Sequence, residues 1–175
     1  GKYFLKKQHR STGIPDSEII KIAVKSLGLD ELYPFDPKKK IIEYILQENE
    51  PKTKKLVDLT MKGFVYETAS ESPAPGGGSI SAAMGAMGAA LGTMVANLSS
   101  HKPGWDDRWE EFSNWAEKGK KYYEELLFLI DEDTNAFNKI MDAFSLPKSS
   151  DSEKEIRKKA IQSATKYAIE VPFKV

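Results

Sequence analysis

The stretch Ala74-Pro75-Gly76-Gly77-Gly78-Ser79, with the run that follows it, constrains this chain most. Three glycines meet a serine of helix-capping type, and about twenty residues then continue without one charged side chain. Glycines let backbone N–H groups approach a ligand, and a helix N-terminus adds partial positive charge. The combination suits an anionic or amide-bearing small molecule held against the backbone. A tight turn with a plain N-cap would look the same. A nucleotide P-loop is excluded because no Lys-Ser/Thr pair follows at the needed spacing. A dinucleotide fingerprint is excluded because the preceding segment reads as helical, not as a strand.

The uncharged run predicts a helix from Ser79 to about Ser100. Within it Gly85 and Ala89, and Gly88 and Gly92, recur at four-residue spacing and place small residues on one stripe. Glycine inside a helix costs about 1 kcal/mol relative to alanine, so the repeat needs a packing reason. The expectation is a central helix covered on all sides, with a symmetry mate as a candidate cover. Ile80 to Leu98 is long enough to span a bilayer, but Asn97 and the lack of flanking aromatic anchors favour a buried helix of a soluble protein.

Lys+Arg and Asp+Glu both number 26, so no net basic field draws the chain to nucleic acid or to an anionic membrane. Without cysteine there is no thiolate chemistry, no disulfide and no cysteine zinc site. His9 and His101 lie far apart and in no metal-ligand spacing, so no metal is expected. The start, Gly1-Lys2-Tyr3-Phe4-Leu5-Lys6-Lys7, has no signal-peptide core. It reads as a cut inside a longer chain, as does the apolar end Val171-Pro172-Phe173-Lys174-Val175.

Residues 1–49 read as one unit. Lys2 to Gln8 resembles a helix end, and Pro15-Asp16 opens a helix with Ile19, Ile20, Ala23, Val24 and Leu27 at three-and-four spacing, stopped by Gly28. Asp36-Pro37 caps a short segment through Ile41, Ile42 and Ile45. Polar residues at 50–56 read as a linker, and 57–175 as a second, mainly helical unit. A helix through Leu59, Met61, Phe64 and Val65 precedes the glycine loop. A long helix from Trp105 or Asp106 to about Phe144 follows, with Phe112, Trp115, Ala116, Gly119, Tyr122, Tyr123, Leu126, Ile130, Phe137, Ile140, Met141 and Phe144 on its apolar stripe. Ser152 and Glu155 have capping-box spacing and open a last helix with Ile156, Ala160, Ala164 and Tyr167 inward. With no alternating strand in the second unit, the fold class is mainly α, a helix bundle.

Asp131-Glu132-Asp133-Thr134 could be a solvated helix face. At about 100° per residue, however, Asp133 falls close to the centre of the stripe, between Ile130 and Phe137. Thr134 lies on the flank, Asp131 is further round, and Glu132 points away. A carboxylate on an apolar face is costly unless it is paired or used. It could be catalytic, or bonded to a neighbouring helix N-terminus or a lysine. Lys102 and Lys148 stand at helix-ending turns, where they could meet a carboxylate-bearing ligand or simply be solvated.

Taken together, Ser72 to Ser79, Met94-Val95-Ala96-Asn97-Leu98, Leu129 to Phe137 and Leu146-Pro147-Lys148 resemble the cyclodeaminase domain of formimidoyltransferase-cyclodeaminase. Ser26-Leu27-Gly28-Leu29-Asp30, Pro34 to Lys38 and Lys40 to Tyr44 look like the C-terminal end of that enzyme's α+β transferase domain. The resemblance implies a cytoplasmic, bifunctional folate enzyme of histidine breakdown, of which this segment would be an incomplete part. One half moves a formimino group from formiminoglutamate to tetrahydrofolate. The other closes the ring to methenyltetrahydrofolate and releases ammonia. Tetrahydrofolate would be carrier and substrate, with or without a polyglutamate tail, and the bundles would form a homo-oligomer. Two alternatives are a methenyltetrahydrofolate cyclohydrolase and a non-catalytic helical assembly domain.

Ring closure needs a proton moved from the attacking folate nitrogen to the departing amine, a task for a partly buried carboxylate. Asp133 is the first candidate and Asp131 the second. Gly76, Gly77, Gly78 and Ser79 are expected to bind the substrate through backbone N–H groups. Asn97 and Thr134, in the matching segments, and Lys102, at its turn, complete the expected binding set.

Overall fold

The computed structural model describes residues 1–49 and 55–175, so residues 50–54 of the expected linker lie outside the described residues. Among the described residues the chain is helical, without a strand. It divides into two compact units, Gly1–Thr53 with Gly88–Tyr122, and Lys54–Met87 with Tyr123–Val175. This division cuts across the sequence-level one: each unit takes part of the two long helices.

In the first unit, α1 (Lys2–Lys7) and α2 (Asp16–Ser26) bury Leu5 and Val24. Gly28 stops α2 at a φ of 65°, the left-handed conformation that glycine adopts freely. Leu27 is exposed, at the frayed end of its stripe. Asp36 caps α3 (Pro37–Lys40) by accepting from Lys38 N–H at 3.1 Å, and α4 (Ile42–Asn49) follows.

In the second unit, Thr60 caps α5 (Met61–Thr68) by accepting from Gly63 N–H at 3.0 Å. The long helices are α6 (Gly77–Ser99) and α7 (Trp109–Ser145). The start of α6 packs Ala82 and Ala83 into a core with Leu129, Ile130 and Ala136 of α7 and Val171. α8 is Asp151–Glu170. Its capping box is Ser150 with Glu153, two residues earlier than the expected Ser152 with Glu155. Both pairs have the right spacing, but at the earlier one Glu153 also accepts from Ser149 N–H at 2.8 Å. Ile156, expected inward, is 60% exposed, while Tyr167 packs against the core.

The chain alone does not cover α6 on all sides: Met84, Met87, Leu91, Met94, Val95 and Leu98 are exposed, Met84 at 66%. Within the chain Gly88 and Gly92 mark no close approach, since a Cβ on either would meet nothing within 4 Å. The buried stripe is Ser79, Ala82, Ala83, Ala86, Thr93, Ala96 and Ser100. A close approach involving α6 is at Gly119 of α7, where a Cβ would strike the Thr93 side chain. On α7, Ala116, Leu129, Ile130, Ala136 and Ala143 are buried, whereas Trp115, Tyr122, Met141 and Phe144 are exposed.

Candidate functional site

The second unit brings the glycine loop onto the acidic segment of α7. Ser79 is fully buried; its N–H donates to Asp133 Oδ2 at 2.8 Å. Its hydroxyl lies 3.0 Å from the same oxygen, 2.8 Å from the Ile130 carbonyl and 3.5 Å from Thr134 Oγ1. Asp133 therefore satisfies an otherwise orphan N–H in the first turn of α6, where the helix dipole also favours its charge. The inward phase of Asp133 is thus explained by pairing with a neighbouring helix N-terminus.

The pairing leaves one oxygen over: among the described residues Asp133 Oδ1 accepts no hydrogen bond. A Cβ on Gly78 would collide with the Asp133 carboxylate, and one on Gly76 would sit 3.6 Å from Oδ2. One on Gly77 would touch nothing within 4 Å. Gly78 is the loop glycine that the geometry requires. The site thus combines a fixed carboxylate, one unused oxygen and a loop with little side-chain cover.

Asp131 does different work. Its Oδ1 accepts from Leu56 N–H at 2.6 Å and its Oδ2 from Val57 N–H at 3.3 Å, so both oxygens cap the turn Leu56–Asp58. Glu132, expected to point away, faces α8. The Tyr167 hydroxyl donates to it and Asn135 donates at 3.2 Å, with Lys139 Nζ 3.8 Å away. The Tyr167 bond, against burial and with help from Asn135, Lys139 and Lys174, holds the Glu132 carboxyl below the ordinary range. Conversely, the Glu132 bond and burial push the Tyr167 phenol up. Sequence reasoning missed this pair because Tyr167 lies on another helix; only Asn135 and Lys139, three and seven residues on, share Glu132's own helix.

Asn97 and Lys102 belong to the other unit. Both ends of the Asn97 amide are occupied: Oδ1 accepts from the Ser11 hydroxyl at 2.6 Å, and Nδ2 donates to Gly13 O at 3.3 Å. Lys102 Nζ lies 4.5 Å from the Trp105 ring centroid, a cation–π contact. Among the described residues no group of three His, Asp or Glu side chains gathers as a metal site requires.

A carboxylate locked on a glycine-loop helix start in a helical unit is a candidate small-molecule site. A family model described as Formiminotransferase-cyclodeaminase matches residues 60–175, and one for the Formiminotransferase domain matches residues 1–47. The chain belongs to the formiminotransferase-cyclodeaminase family. It is 35% identical over 173 residues to formimidoyltransferase-cyclodeaminase of Mus musculus, which covers 99% of this chain and 30% of that protein. For the Gallus gallus enzyme the identity is 37% over 171 residues, covering 98% and 31%. The chain thus spans about a third of the relatives' length. Methenyltetrahydrofolate cyclohydrolase of Methylorubrum extorquens is 40% identical over 114 residues, covering 65% and 55%. The crystal structure of formiminotetrahydrofolate cyclodeaminase from Thermotoga maritima superposes with a TM-score of 0.57 at 34% identity, covering 68% of this chain and 55% of that one.

Proposed function

We propose that the chain is part of a bifunctional folate enzyme that converts formimidoyltetrahydrofolate to methenyltetrahydrofolate with release of ammonia. A linked half would transfer the formimino group from formiminoglutamate to tetrahydrofolate. One observation carries this reading: the two family matches lie in tandem, at 1–47 and 60–175, on one chain.

In ring closure the second folate nitrogen attacks the protonated formimidoyl carbon. A new C–N bond forms, the bond to the amine breaks, and the proton lost by the attacking nitrogen leaves with ammonia. Asp133 Oδ1 is the atom we assign to carry that proton and to stabilise the cationic amidinium. Ser79 holds Oδ2 and so fixes the orientation of Oδ1. Asp131 is the poorer choice because both its oxygens hold backbone N–H groups. Gly76, Gly77 and Gly78 would present backbone to the pterin amide or the glutamate tail, with Thr134 beside them.

The reading extends to a cytoplasmic protein acting on folates with or without a polyglutamate tail. It also extends to a homo-oligomer in which a second copy covers the exposed face of α6. The Methylorubrum extorquens relative supports a second reading, hydrolysis of methenyltetrahydrofolate. One assay separates the two: the intact protein releases ammonia from formimidoyltetrahydrofolate in the first case and hydrolyses methenyltetrahydrofolate without ammonia in the second.

A further inference from the structure

On the second unit, Lys148, Lys154, Arg157, Lys158, Ile161 and Gln162 line a cavity of about 360 Å³ at the turn between α7 and α8. Residues 154, 157, 158, 161 and 162 recur at three-and-four spacing and share one face of α8. Such a face ordinarily carries apolar residues toward a neighbour. Here three of the five are cations, and Lys148 adds a fourth from the turn.

The nearby carboxylates neutralise only one of the four. Asp151 pairs with Lys154 at 2.8 Å. Glu153 accepts from Ser149 and Ser150 N–H, and Glu155 lies 3.7 Å from Lys159, which is not on the cavity. Among the described residues neither Lys148 nor Lys158 has a carboxylate partner. Arg157 donates through Nε and Nη2 to Phe144 O at 3.4 and 3.1 Å. That contact fixes its guanidinium and leaves its other N–H groups for a ligand. Three cations without a carboxylate partner among the described residues repel one another around one concavity, and an anion seated there relieves the repulsion.

We propose that this cavity binds a compact multivalent oxyanion, a polyphosphate or a polycarboxylate, through Lys148, Arg157 and Lys158. The inference stands apart from the Asp133 site and does not depend on folate chemistry. Titration calorimetry of the protein with sodium tripolyphosphate and with citrate tests it. Saturable binding of at least one anion is expected, weakened about ten-fold or more in Lys148→Ala/Lys158→Ala. Lys159→Ala should leave it within about two-fold, because that side chain lies off the cavity. Preference for tripolyphosphate assigns a phosphate ligand, and preference for citrate a carboxylate one. Circular dichroism confirms that each variant keeps its helices, and Lys148→Ala alone replaces the double variant if it does not. The proposal is overturned if neither anion binds saturably. It is also overturned if Lys159→Ala weakens binding as much as the cavity variant does.

Discussion

Two polar clusters join distant parts of this chain, and they differ in what they leave over. At the head of α6, Ser79 takes one oxygen of Asp133, and the other has no hydrogen bond among the described residues. In the first unit, where residues 11–13 meet α6 and α7, the Ser11 and Thr12 hydroxyls and both ends of the Asn97 amide are taken up. Ser11 donates to Asn97 and accepts from Gly13 N–H, while Thr12 donates its N–H to Ser113 at 3.1 Å and its hydroxyl to Glu117 at 2.6 Å. A saturated cluster holds a fold together; one with a fixed but unused oxygen can also act on a substrate. Asn97 and Asp133 look alike as polar residues on apolar helices, and their partners separate them.

Substitutions that separate holding from acting sharpen that contrast. The largest structural effect is expected at Gly78. Gly78→Val drives a side chain into Asp133 and should cost about 3 kcal/mol in denaturant unfolding with loss of ring closure, whereas Gly77→Val should leave the unfolding free energy close to unchanged. Equal tolerance at both positions would break the assignment of the loop. Asn97→Ala strips partners from Ser11 and Gly13 and should cost about 2 kcal/mol while leaving kcat for ring closure intact. Asp131→Ala uncaps the turn at Leu56 and should cost about 1 kcal/mol.

The smallest effect is a pH dependence. The Thr12 hydroxyl, against burial and with help from Lys2, holds Glu117 below the ordinary carboxylate range. That contribution is present above the unfolded pKa and fades as pH falls through the folded one. Thr12→Val should therefore flatten the acid limb of the stability curve below the unfolded glutamate pKa of about 4.3, and lower stability by measurably less at pH 3 than at pH 7.

Much of the fold was legible because local chemistry decided it. Pro15-Asp16, Gly28 and Asp36-Pro37 mark helix ends through backbone geometry that neighbours do not alter. The phase of α7 was also legible, since charges alternate with apolar residues along it, and it put Asp133 inward. The burial of α6 was not. Nearly every residue there is small or apolar, so no periodicity distinguishes Ala82, Ala86 and Thr93, which are buried, from Gly88 and Gly92, which are open. The start of α8 slipped by two residues because Ser150 and Ser152 offer the same capping spacing. For the site, the loop and Asp133 were each visible, but their junction spans 54 positions of sequence separation, which local patterns do not reach. A separation of 35 positions hid the Glu132–Tyr167 bond in the same way.

The central claim is that Asp133 acts and Asp131 only holds. Steady-state ammonia release from formimidoyltetrahydrofolate by the intact protein, compared between Asp133→Asn and Asp131→Asn, tests it most directly. Asparagine keeps one acceptor oxygen at each position, for Ser79 N–H at 133 and for Leu56 N–H at 131, and circular dichroism checks that each variant keeps its helices. The account predicts that kcat falls about 10²- to 10⁴-fold in Asp133→Asn and less than about ten-fold in Asp131→Asn. A folded Asp133→Asn variant with undiminished kcat would contradict it, as would an equal loss in both.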